Sequence, residues 1–278
     1  FDLRESKQCS EMFKIHRPEY VIHLAARVGG VKANYKYLGD FYHDNILINT
    51  NVLKCASKLK VKKLLSMLST CVYPAATEYP LIEENIHQGE PHWTNFAYAY
   101  AKRMLDVQSR AYRKQHNCNF ITAIPNNMYG INDNFHLEDS HVIPAMIRKI
   151  HEAKINNSTV ELWGDGSPIR EFTYSQDIAK IILFLLENYN GEKPINIGNV
   201  QSISIKELAL TIKEIVGLSS EIKWDTTKLS GQYKKPSSNK KLLDLGFSHK
   251  DYTPIDVGLR ETYRWFKDVY PKVRGYKN

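Results

Sequence analysis

Short apolar runs alternate with longer amphipathic stretches along the first half of the chain. The apolar runs have the length of strands, and the stretches between them repeat apolar residues at the spacing of one helix face. The pattern predicts strands at Tyr20–Ala26, Lys63–Leu68 and Phe120–Pro125, and helices near Leu38–Lys58 and Tyr98–Gln115. Continuous apolar strands between helices are typical of a doubly wound parallel sheet of the Rossmann type, so we expect an α/β fold.

The second half of the chain has shorter elements. A strand at Val160–Trp163 is followed by the turn sequence Gly-Asp-Gly-Ser-Pro, and Ser204 with Glu207 fits a capping box at the start of a helix. The remaining predicted elements are helices at Ser175–Asn188, Ser204–Val216 and near Val257–Val269, and a strand at Pro194–Ile197. We expect a smaller C-terminal α/β domain here.

Composition narrows the class of protein. The 278 residues are 42% hydrophobic and 24% charged, which is ordinary for a globular chain. No run of about twenty apolar residues occurs, and the first residues resemble no signal peptide, so we expect no membrane span and a cytoplasmic location. The four cysteines lack paired spacing and predict reduced thiols, with neither a metal site nor a disulfide framework: Cys9, Cys55, Cys71 and Cys118.

The net charge of +8 comes from lysines and arginines scattered along the chain. The densest groups are Lys234–Lys235 and Lys240–Lys241. Two interpretations remain open, a solvated basic face and a pocket for a phosphorylated ligand. No RNA- or DNA-binding motif occurs, so we expect no nucleic-acid partner.

Tyr98 and Lys102 form the chemically most informative pair. They lie four residues apart on a predicted helix, where the Lys102 ammonium can approach the Tyr98 phenol and lower its pKa. Ser69 follows a predicted strand. A serine hydroxyl and an acidic phenol can both donate to one carbonyl oxygen, as hydride transfer to a ketone requires.

These elements resemble the GDP-L-fucose synthase family of extended short-chain dehydrogenase/reductases. The resemblance runs from about Asp2 to the end of the chain. It rests on seven segments in order: His23–Gly30 (HLAARVGG), Leu68–Pro74 (LSTCVYP), Tyr98–Lys102 (YAYAK), Pro125–Gly130 (PNNMYG), Asp133–Phe135 (DNF), His141–Pro144 (HVIP) and Trp163–Arg170 (WGDGSPIR).

The resemblance implies NADPH-dependent 3,5-epimerisation and 4-reduction of GDP-4-keto-6-deoxy-D-mannose. It assigns proton transfer at C3 and C5 to Cys71 and His141, whose side chains both titrate near neutrality. Ser69 and Tyr98 would hold the oxygen at C4, and Lys102 would contact Tyr98 and the cofactor ribose. The catalytic set is therefore predicted as Ser69, Cys71, Tyr98, Lys102 and His141.

The binding residues are also implied by the resemblance. The NADP(H) contacts would come from Tyr98, Lys102, Ala25, Ala26, Pro125, Asn126 and Met128. The GDP-sugar contacts would come from Trp163, Arg170 and Lys235. Two further residues have open alternatives: Arg148 is a substrate contact or a solvated arginine, and Asn95 binds a sugar hydroxyl or caps the following helix.

We expect a dinucleotide-binding domain over 1–130 and about 171–200, and a GDP-sugar domain over about 131–170 and 201–278. No G-x-x-G-x-x-G segment precedes Tyr20, so we expect the sheet to be N-terminally incomplete, without its first βαβ unit. In the family, the helices near Leu38–Lys58 and Tyr98–Gln115 pack across a two-fold axis, which predicts a homodimer.

Two alternative functions remain open at this level. One is another nucleotide-sugar epimerase or dehydratase on the same scaffold. The other is a non-catalytic module that retains only nucleotide-sugar binding.

Overall fold

The computed structural model describes residues 1–227 and 233–276, which divide into two compact units. Helices in the described residues are α1 (Ser6–His16), α2 (Val31–Lys36), α3 (Leu38–Leu59), α4 (Phe96–His116), α5 (Val142–Ile155), α6 (Ser175–Asn188), α7 (Ile205–Val216), α8 (Lys240–Asp244) and α9 (Ile255–Val269). Strands are β1 (Tyr20–His23), β2 (Lys63–Met67), β3 (Phe120–Pro125), β4 (Asn127–Tyr129), β5 (Val160–Trp163), β6 (Ile169–Tyr174), β7 (Ile195–Ile197), β8 (Ser202–Ser204) and β9 (Ile222–Asp225).

Unit 1 comprises residues 1–126, 179–197 and 238–247. Its described strands form a parallel sheet in the order β1-β2-β3-β7. Leu64 pairs with Phe120 and Leu65 with Ile121, and β2 and β3 are buried along their whole length. Helices α3 and α4 pack against each other. This arrangement confirms the predicted α/β fold with a Rossmann-type parallel sheet.

The core of unit 1 joins its helices to the sheet. Leu53 of α3 and Leu105 of α4 lie in one cluster with Leu64, Phe120 and Ile124 of the strands, and each of these side chains is at most 1% exposed. Full burial of such a side chain stabilises the fold by roughly 1.5–3 kcal/mol. The core therefore fixes α3 and α4 against β2 and β3.

Unit 2 comprises residues 127–178, 198–237 and 248–278, apart from the undescribed positions. Strand β6 pairs in parallel with β4 and antiparallel with β8, and β5 pairs in parallel with β9. The capping box of α7 is confirmed, since Ser204 and Glu207 bond each other's backbone N–H groups over 3.0 and 3.1 Å. A core cluster includes Phe135, Ile147, Leu208, Leu259 and Phe266.

Some elements differ from their predictions. Strand β1 ends at His23 rather than Ala26, and the sequence analysis did not predict α1, α2 or β6. Within residues 1–227 and 233–276, no helix is both long and apolar enough to cross a bilayer. The same residues hold no group of three or more His, Cys, Asp or Glu arranged to bind a metal ion.

Candidate active site

Ser69 and Cys71 follow the carboxyl end of β2. Ser69 is extended, with φ −164° and ψ 152°, and its Oγ accepts the backbone N–H of Cys71 over 3.3 Å. This bond begins a 3-10 turn at Thr70–Val72. The turn keeps the hydroxyl and the thiol close together at one end of the sheet.

Helix α4 brings Tyr98 and Lys102 to the same place. The two residues are 8% and 3% exposed, and Lys102 Nζ lies 5.8 Å from the centre of the Tyr98 ring. The Tyr98 phenol has a side-chain hydrogen bond with Ser69. Tyr98 also packs with Phe41, and Cys71 lies against the same cluster. A hydroxyl, a phenol, an ammonium and a thiol are therefore neighbours in unit 1.

The electrostatics of this pair differ from the prediction. Burial raises the pKa of Tyr98, the nearby Cys71 raises it further, and the hydrogen bond with Ser69 lowers it. Lys102 does not reach the phenol oxygen, because its Nζ donates to the carbonyl oxygen of Met67 over 2.7 Å. Burial lowers the pKa of Lys102 to about 8. The expected lowering of the Tyr98 pKa by Lys102 is wrong for this state, and the phenol keeps its proton at neutral pH.

Asn95 contacts the thiol. Asn95 occupies the N-cap position of α4, but its side chain makes no cap hydrogen bond to that helix. Instead, Nδ2 donates to Sγ of Cys71 over 3.0 Å. The Asn95 Oδ1 atom is buried and has no hydrogen-bond partner among the described residues.

The predicted cofactor residues lie at strand ends. Ala25 is exposed and Ala26 half-buried, and both follow β1. Pro125 is the last residue of β3, and the next residue, Asn126, is buried and donates its backbone N–H to the carbonyl of Ile197 over 3.3 Å. Ligands of parallel α/β sheets bind outside the carboxyl ends of the strands, where these residues lie.

In unit 2, His141 is exposed and stands directly before α5. Its side chain makes no cap bond to that helix, so the imidazole is available for other contacts. Burial raises the pKa of the nearby Asp133, and the hydrogen bond from the backbone N–H of Asn134 to its carboxylate partly opposes that rise. Met128, the predicted cofactor contact on β4, is 43% exposed.

Trp163 ends β5 and is 48% exposed. Lys149 Nζ lies 5.4 Å from the centre of its ring and donates to the carbonyl of Glu161 over 3.2 Å. Burial lowers the pKa of Lys149. This pair presents an aromatic face with a cation beside it, a combination that suits a charged or sugar-bearing ligand.

Arg170 and Lys235 lie on neighbouring segments of unit 2. Arg170 Nη1 donates to the carbonyls of Ile169 and Tyr233 over 2.7 and 3.3 Å. Lys235 is half-buried, and two residues further on the backbone N–H of Ser237 donates to the Glu171 carboxylate over 3.1 Å. The segment that carries Lys235 is thus fixed to β6.

Arg148 lies in the interior of unit 2, which excludes the solvated arginine that was one of its two interpretations. It is 6% exposed, and Nη1 donates to the carbonyls of Phe135 and Gly275 over 3.0 and 3.1 Å. Its Nε donates to Glu152 over 2.7 Å. The side chain points into the interior because these acceptors are there, and the next residue, Lys149, is the cation beside Trp163. The sequence analysis missed Lys149.

The second basic group does not form an anion pocket. Lys240 pairs with Asp244 over 2.6 Å, and Lys241 lies 3.9 and 3.7 Å from the carboxylates of Glu83 and Glu84. For Lys240–Lys241, the interpretation as a surface with its own counter-charges therefore holds.

Comparison with known proteins supports the family seen in the sequence. The sequence model of the NAD dependent epimerase/dehydratase family matches residues 1–198. The chain is 44% identical to a GDP-L-fucose synthase of Dictyostelium discoideum over 98% of the chain and 86% of that protein. It is 42% identical to GDP-L-fucose synthase 1 of Arabidopsis thaliana over 95% of the chain and 82% of that protein.

A solved structure agrees with these relatives. A GDP-L-fucose synthetase from Naegleria fowleri, crystallised with NADP bound, superposes with a TM-score of 0.93 at 42% identity, over 98% of this chain and 84% of the other. Ser69, Cys71 and the Tyr98–Lys102 pair lie within the residues that the family model matches. The chain belongs to the GDP-L-fucose synthases of the NAD dependent epimerase/dehydratase family.

Proposed function

We propose that this chain converts GDP-4-keto-6-deoxy-D-mannose to GDP-L-fucose, by epimerisation at C3 and C5 followed by NADPH-dependent reduction at C4. The observation that carries the proposal is the position of the Cys71 thiol, which packs against the buried cluster that holds Tyr98 and whose backbone N–H donates to Ser69 Oγ. A ketone reductase needs only the hydroxyl and the phenol. The added thiol supplies a base for the carbons that flank the ketone.

NADPH fits the residues of unit 1. An ammonium has three N–H donors, and among the described residues Lys102 uses one of them on Met67. The other two suit ribose hydroxyls. Exposed Ala25 and half-buried Ala26 let a flat ring approach the backbone, with Pro125 and Asn126 as further proposed contacts in unit 1. Met128, which belongs to unit 2, also remains a proposed contact. When bound, NADPH supplies the hydride for C4.

The reduction is assigned to Ser69 and Tyr98. Both hydroxyls donate to the oxygen at C4, so negative charge that develops there is stabilised by two hydrogen bonds. Because burial raises the pKa of Tyr98, the phenol is protonated at neutral pH and can release its proton to that oxygen. The Lys102 ammonium stays positively charged as long as the pH is below its pKa of about 8.

The epimerisation is assigned to Cys71 and His141. The ketone makes the hydrogens at C3 and C5 acidic, and inversion requires one group to remove a proton and another to return it to the opposite face. The electrons of the broken C–H bond pass to the C4 oxygen, where Ser69 and Tyr98 stabilise the enolate. The same two hydroxyls thus serve both parts of the reaction.

The GDP-sugar contacts are proposed in unit 2. Arg170 and Lys235 supply cations for a diphosphate, and Lys149 with Trp163 supplies a cation beside an aromatic face. Asn95 of unit 1 offers its Oδ1 to a sugar hydroxyl. Unit 1 is accordingly proposed as the dinucleotide-binding domain and unit 2 as the sugar-nucleotide domain.

A homodimer through α3 and α4 is proposed as the assembly. These helices border a groove of about 450 Å³ lined by Leu38, Gly39, Tyr42, Phe96, Ala97, Tyr100 and Met104. Tyr42, Phe96 and Met104 are 38–44% exposed, an apolar face of the kind that two-fold interfaces bury. The cytoplasm is the proposed location, because free thiols and NADPH chemistry suit a reducing compartment.

Product analysis tests the function. The purified chain is incubated with GDP-4-keto-6-deoxy-D-mannose and NADPH, and the product is identified by NMR while NADPH oxidation is followed. GDP-L-fucose formed with stoichiometric oxidation supports the proposal. Turnover of UDP-keto sugars alone would favour another nucleotide-sugar enzyme, and GDP binding without any NADPH response would favour a binding module.

A further inference from the structure

The amide of Asn95 has two hydrogen-bonding ends with different surroundings. Nδ2 donates to the Cys71 sulfur over 3.0 Å, while Oδ1 is buried without a partner among the described residues. An N–H donated to sulfur favours the thiolate over the thiol, because the thiolate is the stronger acceptor. A buried acceptor without a donor is costly, and a ligand hydroxyl would satisfy it.

Backbone bonds fix the position of Asn95. Its N–H donates to the carbonyl of His92 over 3.1 Å, and its own carbonyl accepts the N–H of Ala99 in the first turn of α4 over 3.0 Å. The side chain therefore starts from a fixed backbone position at the amino end of α4, and its Nδ2 bond to the sulfur sets the orientation of the amide.

The loop that carries Cys71 is held from the other side. Arg103, 3% exposed, donates from Nε to the carbonyl of Val72 over 2.7 Å and from Nη1 to the carbonyl of Gly89 over 2.8 Å. The Cys71 N–H is bound to Ser69 Oγ. Both partners of the Asn95–Cys71 contact are thus anchored independently, as in a preorganised site.

We propose that Asn95 is a positioning residue for the epimerisation, holding the Cys71 sulfur through Nδ2 while Oδ1 accepts a hydroxyl of the bound sugar. This inference rests on the proposed function. The thiolate removes the proton from the carbon beside the ketone and becomes a thiol, and the C–H electrons move to the ketone oxygen as an enolate. A single amide thereby sets the sulfur against the sugar ring.

The pH dependence of Cys71 alkylation by iodoacetamide tests the inference without substrate or cofactor. The rate at Cys71 is read by mass spectrometry of its peptide, and the pH of half-maximal rate reports the thiolate independently of access. Among the described residues, the titratable groups near the sulfur are Tyr98 and Lys102, both on α4, while Ala33 of α2 and Phe41 of α3 are uncharged.

Asn95→Ala removes the donor, and we expect the half-maximal pH of alkylation to rise. Asn95→Asp places a carboxylate beside the sulfur. Its negative charge disfavours the thiolate, so the half-maximal pH should rise further than in Asn95→Ala. Asn188→Ala is the matched control, since that amide donates to the Phe184 carbonyl and should leave the midpoint unchanged.

An unchanged midpoint in both Asn95 variants would overturn the inference, while turnover by the wild-type chain would leave the proposed function standing. Conversely, an absence of turnover in the wild-type chain overturns the proposed function, and a shifted midpoint still demonstrates the contact. As a second readout, Asn95→Ala should raise KM for the GDP-sugar as well as lower kcat, because Oδ1 is lost together with Nδ2.

Discussion

Lys102 on α4 donates through Nζ to the backbone carbonyl oxygen of Met67, the last residue of β2, over 2.7 Å. This bond fixes α4 to the strand that leads into Ser69. It also holds a cation in a position that is 3% exposed, where desolvation disfavours the charged form. The pKa of Lys102 falls from 10.5 to about 8 for that reason.

The first prediction concerns pH and stability. Because the folded-state pKa of Lys102 is depressed, its charged form destabilises the fold at neutral pH, and this penalty is relieved as pH rises from about 8 towards 10.5. Relative to Lys102→Met, the free energy of unfolding of the wild-type chain should increase by roughly 2 kcal/mol between about pH 7.5 and 9.5. Urea unfolding of both proteins at the two pH values measures it. If the free energy of unfolding changes by the same amount in both proteins between the two pH values, this account of Lys102 is wrong.

The second prediction separates Arg148 from Lys149. Arg148→Met leaves the carbonyls of Phe135 and Gly275 without their donor and should cost roughly 2–4 kcal/mol of stability. Lys149→Ala should change stability by less than about 1 kcal/mol. It should instead raise KM for the GDP-sugar about tenfold, because the cation beside Trp163 is lost. Thermal melts and steady-state kinetics on both variants measure these effects. A KM effect confined to Arg148→Met would reverse the assignment.

The third prediction concerns assembly. Met104→Glu places a charge in the apolar groove between α3 and α4. If the proposed dimer forms through this groove, the wild-type chain should sediment as a dimer and the variant as a monomer. Leu183→Glu on α6 is the matched control, because Leu183 is 58% exposed but lies outside that groove. If both variants sediment as the wild-type chain does, the proposed interface is wrong.

Much of the fold follows from local signals. Strand β3 at Phe120–Pro125 and the capping box at Ser204 match their predictions, because a continuous apolar run and a spaced Ser–Glu pair act over a few residues. Strand β6 was missed. Its first half includes Arg170 and Glu171. Glu171 is buried, and its carboxylate accepts hydrogen bonds from Ser237, which lies 66 positions away along the chain.

The residue types of the candidate site could be predicted from the sequence, but most of the hydrogen bonds between them could not. Sequence spacing placed Tyr98 and Lys102 on one helix face, but the choice of Met67 as the lysine's acceptor depends on how α4 packs against β2. The contact of Asn95 with Cys71 likewise joins residues 24 positions apart. The burial of Arg148 could not be predicted, because its acceptors are the carbonyls of Phe135 and Gly275, which are distant along the chain or in an irregular segment.

The central claim is that the Cys71 thiol removes a proton from the carbon beside the ketone, and solvent exchange tests it directly. The chain is incubated in D₂O with GDP-4-keto-6-deoxy-D-mannose and NADP⁺, and deuterium at C3 and C5 is measured by NMR. The account predicts incorporation by the wild-type chain and by Cys118→Ser, and a loss of about 10²-fold or more in Cys71→Ser with NADPH binding retained. Incorporation by Cys71→Ser at the wild-type rate would contradict it.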